Sequence, residues 1–179
     1  MSQREILQLG DPILWQPSLE VADIASSESR QIVTDLSETL AAFRDRTGYG
    51  RGIAAPQIGE LVRVIFIRMQ PAGFCGPLFN PRVVRMSAER MELWDDCFSF
   101  PELMVRVSRS FSVLVEYDDE RGSRRSIQAE GPLSELLQHE IDHLDGVLAI
   151  QRAISAQSLM TRSEWERQTR AAGSAIGNP

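Results

Sequence analysis

The chain has 179 residues, 42% of them hydrophobic, with 19 Lys+Arg against 25 Asp+Glu for a net charge of −6. That is enough for one domain, 1–179, with a substantial core, and the acidic balance argues against a nucleic-acid partner. No apolar run approaches about 18 residues, the start MSQREILQLG carries no signal-peptide pattern, and two cysteines, Cys75 and Cys97, are too few for a disulfide framework, which together predict a cytoplasmic protein with no membrane partner.

Residues 5–15 are a short apolar segment broken at Gly10-Asp11-Pro12, a turn signal. Over 26–46, Ile32, Val33, Leu36, Leu40 and Phe43 recur at helical spacing, predicting a helix capped by Ser26 or Ser27 and ended by Gly48. Residues 48–59, GYGRGIAAPQIG, read as a glycine-rich loop whose small residues allow close approach to another element or a ligand; no G-K-[ST] follows, so it is not a phosphate loop. Gln57 is the one polar side chain in the run 53–58. A buried amide needs a partner, so it is either a satisfied core residue or a donor aimed at a ligand.

Residues 61–69 (LVRVIFIRM) form the clearest strand, 71–81 read as loop, and 83–86 and 90–94 as short strands. Cys97 follows, either an inert buried thiol or a thiolate ligand. Residues 105–107 and 112–117 are strands, 118–123 a polar hairpin turn and 124–129 the returning strand. Residues 157–171 read as a last, mostly polar helix. Its Arg162, Arg167 and Arg170 alternate with Glu164 and Glu166 on a solvated face, and 172–179 form a frayed tail.

The stretch 138–146, QHEIDHLDG, holds the only two histidines, His139 and His143. Gly131-Pro132 opens a helix, Leu133, Leu136, Leu137, Ile141 and Leu144 give it a core face, and Gly146 stops it, so the helix is partly buried. At i and i+4 both imidazoles reach one metal ion from one side, and Glu140 stands beside a water activated there as general base. The alternative is two unrelated histidines on a solvated face. A third ligand is needed, and the cytosolic thiolate of Cys97 is a good one; a Cys, His, His set leaves one position open, as catalytic sites do.

Three segments resemble the motifs of the peptide deformylase family. GxGxAAxQ[IV]G is intact at 50–59, QHExDH is intact at 138–143, and EGCxS is altered to Asp95-Asp96-Cys97-Phe98-Ser99. The Leu9-Gly10-Asp11-Pro12 and Asp145-Gly146 segments are similar too. The resemblance implies an α+β fold with mixed, mostly antiparallel sheets packed around the HExxH helix. It implies one divalent metal per chain on Cys97, His139 and His143, commonly Fe2+, with Zn2+, Ni2+ or Co2+ in some members. The implied reaction removes the N-formyl group from the initiator methionine of new polypeptides and releases formate. Glu140 takes the proton of the attacking water and hands it to the departing amine, while Gln57 and the backbone N–H of Phe98 hold the oxyanion. Gly50, Arg51, Gly52 and Asp96 line the substrate. Behind the ligands, Arg109 pairs with the carboxylate of Asp95, and Asp142 either orients a ligand imidazole or lies on a solvated helix face. The implied partner is an N-formylated peptide or nascent chain, with contact to the ribosome left open.

Two departures from the family pattern carry physical weight. Asp95 is one methylene shorter than glutamate, and Asp96 adds a side chain and a charge where the family has glycine. They keep open a metal amidase that acts on a different N-acyl substrate. A non-catalytic metal-binding protein is the third reading, against which Glu140 and Gln57 argue, since neither is needed to hold metal.

Overall fold

The computed structural model describes residues 3–69 and 74–175. Helix α1, Ser27–Thr47, begins where Ser26 Oγ accepts the Ser29 N–H at 3.0 Å, and it ends at Gly48, whose φ of 81° is left-handed. Its Ile32, Leu36, Leu40 and Phe43 pack with Ile53, Val64 and Phe66. The glycine-rich stretch that follows is more ordered than a loop: 52–54 form strand β1, Gly52–Ala54, and Ala55–Ile58 form a single 3-10 turn.

Strand β2, Val64–Arg68, lies inside the expected strand 61–69. The expected loop 71–81 is overturned from Cys75 onward, because β3 runs Cys75–Met86; the earlier part of that expectation, 71–73, lies outside the described residues. Gly76-Pro77 and Asn80-Pro81 look like turn signals, yet the strand accommodates both prolines. Residues 75–78 pair only with β2, so Pro77 has an unpaired side, and Pro81 sits in a register shift where β3 changes partner.

The remaining strands are β4 (Arg90–Asp96), β5 (Leu103–Ser110), β6 (Ser112–Asp118), β7 (Arg124–Glu130) and β8 (Leu159–Thr161). They complete two sheets, one ordered β1-β2-β3-β6-β7 and the other β4-β5-β8, with every strand pair antiparallel. Among the described residues the parallel contribution is an isolated bridge from Leu19 to Val62. The fold is therefore α+β.

Helix α2, Gly131–Leu144, lies on the five-stranded sheet, where Leu136, Leu137, Ile141 and Leu144 join Ile65, Ile67, Leu78, Val113 and Val115. Each leucine fully withdrawn from water there contributes roughly 1.5–3 kcal/mol. The helix is not half-exposed as its apolar spacing suggests: residues 134–144 are buried without a break. Gln138 explains part of this, since it accepts the Ser110 N–H at 3.1 Å and donates to Ser110 O at 2.9 Å. Its amide thus replaces a missing strand neighbour and locks the helix onto the β5–β6 corner.

The last helix, α3, spans Arg162–Ala175 rather than 157–171. Residues 159–161 are drawn into pairing with β5 instead, and the helix starts only after that. Residues 172–175, expected as a tail, are helical; 176–179 lie outside the described residues. No described helix is long and apolar enough to cross a membrane.

Candidate metal centre

Strand β4 stops at Asp96, and the chain turns with the Phe100 N–H on Cys97 O at 3.1 Å. That turn delivers Cys97 Sγ to α2, 3.3 Å from His143 Nε2. One helical turn separates the two histidines, whose rings lie 5.0 Å apart. One ligand atom from each of Cys97, His139 and His143 lies within 4.8 Å of the others, and all three residues are buried.

Strand alternation sends Asp95 and Asp96 to opposite faces. Asp95 turns inward, 3.0 Å from His139 Nδ1, and accepts Arg109 Nη2 at 3.0 Å. That contact places a proton on Nδ1 and leaves Nε2 free to ligate. The Asp95 carboxyl falls to about 2: burial opposes this, but His139 and Arg109 outweigh it. Burial likewise disfavours charge on His139, yet Asp95 holds its pKa well above the usual range. His143, buried and beside His139, is pushed well below.

Asp142 neither touches an imidazole nor faces solvent. It accepts Arg109 Nη1 at 2.6 Å and Arg152 Nη2 at 2.7 Å, forming a chain Arg152–Asp142–Arg109–Asp95–His139.

Gln57 is held in one orientation. The Ala54 N–H needs an acceptor and finds Gln57 Oε1 at 3.0 Å, which turns Nε2 toward Cys97 Sγ at 3.6 Å and Ser99 Oγ at 3.3 Å. Two glycines of the same segment are required by space. A Cβ on Gly52 would stand 2.6 Å from Glu140 Oε1, and one on Gly50 would stand 2.7 Å from the Phe98 ring. Phe98 itself stacks on Phe43 at 3.9 Å between centroids, and its carbonyl accepts from Gln8 at 3.3 Å.

Glu140 is 3% exposed, and its Oε2 has no hydrogen-bond partner among the described residues. Burial, with Asp95 and Glu135 nearby, raises its pKa to about 7 against the opposing pull of His139 and Arg51. A carboxyl poised there can take a proton and return it.

The chemistry of the donors fits a divalent cation: one cysteine sulfur, two imidazole nitrogens and, beside them, a carboxyl oxygen of Glu140 left without a partner among the described residues. A second cluster, Asp95, Glu135 and His139, is equally close. It is the poorer site, because Arg109 and Arg51 already neutralise its carboxylates and His139 faces it with a protonated nitrogen.

A cleft of about 570 Å³ opens onto Cys97, His139 and Glu140, and is lined also by Gly50, Arg51, Gly52 and Asp96. A larger cavity, about 710 Å³, borders Asp142 and Arg152 but reaches neither the thiol nor the imidazoles.

Inside the cleft the structure adds residues that the sequence does not single out. Arg51 Nη2 donates to the buried Glu135 at 2.6 Å. Glu135 lies four residues before His139, so helical spacing already puts it on the histidine face. Arg162, expected on a solvated face, instead donates Nη2 to Asp96 at 2.8 Å, and its side chain is 17% exposed. Trp165 joins it in the lining. No sequence signal links Asp96 to a residue 66 positions away.

A family model described as polypeptide deformylase matches residues 3–158. The peptide deformylase of Thermomicrobium roseum is 35% identical over 176 residues, 94% of this chain and 96% of the relative. That of Rhizobium meliloti is 37% identical over 157 residues, 84% of each. Among solved structures, a peptide deformylase from Synechococcus elongatus in complex with actinonin is similar with a TM-score of 0.78 at 32% identity, covering 88% of this chain and 82% of that one. The Thermotoga maritima peptide deformylase also reaches 0.78, at 29% identity over 86% of this chain and 99% of its own.

Proposed function

The chain belongs to the polypeptide deformylase family, and from that premise we propose that it hydrolyses the N-formyl group from N-terminal formyl-methionine of nascent polypeptides. Cys97, His139 and His143 would hold one divalent metal ion, Fe2+ in the cytoplasm by family likeness. When bound, the ion acts as a Lewis acid and lowers the pKa of water toward about 7.

The protein's own residues then supply the rest. Glu140 accepts the proton of the attacking water and passes it to the amide nitrogen as the C–N bond breaks, which leaves formate and a free α-amine. Gln57 Nε2 and the Phe98 backbone N–H donate to the oxygen that gains charge in the tetrahedral transition state. Asp95, backed by Arg109 and Asp142, orients His139. Gly50, Arg51, Gly52 and Asp96 border the peptide. The observation that carries this reading is Glu140 Oε2, buried and unpartnered beside three converging ligand atoms.

A second reading, hydrolysis of a different N-acyl group, draws on the ion pairs Arg51–Glu135 and Asp96–Arg162 within the cleft. One experiment decides between them: anaerobically purified, metal-loaded protein assayed for formate release from N-formyl-Met peptides, beside an N-acyl panel. Formate release supports the first reading; turnover confined to another acyl group replaces it with the second.

A further inference from the structure

Arg162 is bolted to the cleft by four contacts. Its Nη2 donates to Asp96 at 2.8 Å, its Nε to Pro101 O at 2.5 Å and its backbone N–H to Glu102 O at 2.8 Å, while its guanidinium lies 4.6 Å above the Tyr49 ring. Tyr49 immediately precedes Gly50, and Asp96 immediately precedes Cys97. The first residue of α3 is therefore fixed to the residues flanking two parts of the centre. Trp165 follows three positions later on the same helix face and lines the same cleft. The outward residues of α3 pair among themselves, Glu164 with Arg167 and Glu166 with Arg170.

The structure gives the unexpected aspartate a partner. Asp96 stands where the motif has glycine, and it pairs with Arg162, the first residue of α3. An aspartate here without a cation would place an uncompensated charge at the cleft wall; paired with a guanidinium stacked on tyrosine it becomes an anchor. Inward-facing Asp95 serves His139, whereas Asp96 faces the opposite side of the strand and serves Arg162.

We propose that Arg162 is a positioning residue that, through Asp96 and Tyr49, seats α3 as the outer wall of the cleft, and that this wall reads the substrate peptide beyond its first residue. The proposal rests on the formyl-peptide reading. It makes recognition length-dependent: the methionine and its formyl group meet the buried centre, and the following residues meet Arg162 and Trp165.

The test compares KM and kcat for N-formyl-Met-Ala-Ser and N-formyl-Met amide. Arg162→Met is expected to raise KM for the tripeptide about tenfold, the size of one lost contact group, with a far smaller rise for the amide. Asp96→Asn should give the same split, and the double variant should be no worse than either single one, because both remove one anchor. Arg162→Lys keeps the charge but not the planar stack, so it should recover part of the loss. Equal KM changes for both substrates, or none, overturn the proposal. If Arg162→Met fails to fold, Trp165→Ala leaves the ion pair intact and must show the same length-dependent split. A wild type that releases no formate defeats the parent reading alone. Calorimetric titration with unformylated Met-Ala-Ser then still decides the wall: weaker binding to Arg162→Met supports it, and equal or absent binding by the wild type ends it.

Discussion

Replacing Arg109 by methionine tests the charge chain behind the metal ligands. Its side chain is 4% exposed and bridges Asp95 and Asp142 through separate nitrogens. Methionine keeps most of the volume but strands Asp95 against His139 alone, and leaves Asp142 with Arg152, which is half exposed. Breaking a buried pair from one side costs about 3–5 kcal/mol. An unfolding entropy of about 2.1 cal/mol/K per residue gives roughly 0.4 kcal/mol/K for 179 residues. The expected fall in Tm at neutral pH is therefore about 8–13 °C, by calorimetry at equal metal content. The sign with pH is fixed by Asp95. Its folded pKa, about 2, lies below the unfolded value, so its stabilisation is complete above about 3.9 and is lost as pH falls through 2. Without Arg109 that folded pKa rises, so the deficit of the variant should shrink as pH drops from 7 toward 3. A loss below about 1 kcal/mol at pH 7, or a deficit that does not change with pH, would refute the reasoning.

Three further outcomes follow from the ligand set and its neighbours. Cys97→Ala should lose metal and turnover together, and full occupancy by elemental analysis would remove the thiolate from the set. Glu140→Ala should keep its metal and lose on the order of 10²–10⁴ in turnover; near-normal rates in a metal-replete protein would count against its role as base. Gln57→Ala should retain metal and lose about 10²–10³ in kcat, and an unchanged kcat would exclude it as an oxyanion donor.

What could be read in advance was local. The helix under the histidine pair follows from spacing, and α1 from its apolar stripe with Ser26 and Gly48 at its ends. What could not be read depended on partners distant in sequence. The polar residues of α2 suggested a wet face, yet they are buried because Ser110, Arg109, Asp95 and Arg51 satisfy them. Prolines at 77 and 81 suggested a loop, since nothing local says that β3 has a free side at the first and a register shift at the second. Glu135 was within reach of helical spacing. Arg162 was not, because the acids beside it in the sequence offered a nearer and more ordinary set of partners.

The three candidate ligand atoms come from two different sheets: Cys97 follows β4 of the three-stranded sheet, and the histidines ride on α2 against the five-stranded one. A cation bound there would act as a staple between two substructures, and only the folded chain offers it all three ligands. At a hundred times its dissociation constant it would add about 2.7 kcal/mol to the closed form, suppressing by about 100-fold any opening that separates the two. Cys97, 2% exposed, lines the cleft, and a cation held there would cap its sulfur. Chemical damage to the thiol should therefore follow loss of the metal rather than precede it. The protein's lifetime under oxygen becomes a question of how fast the metal leaves.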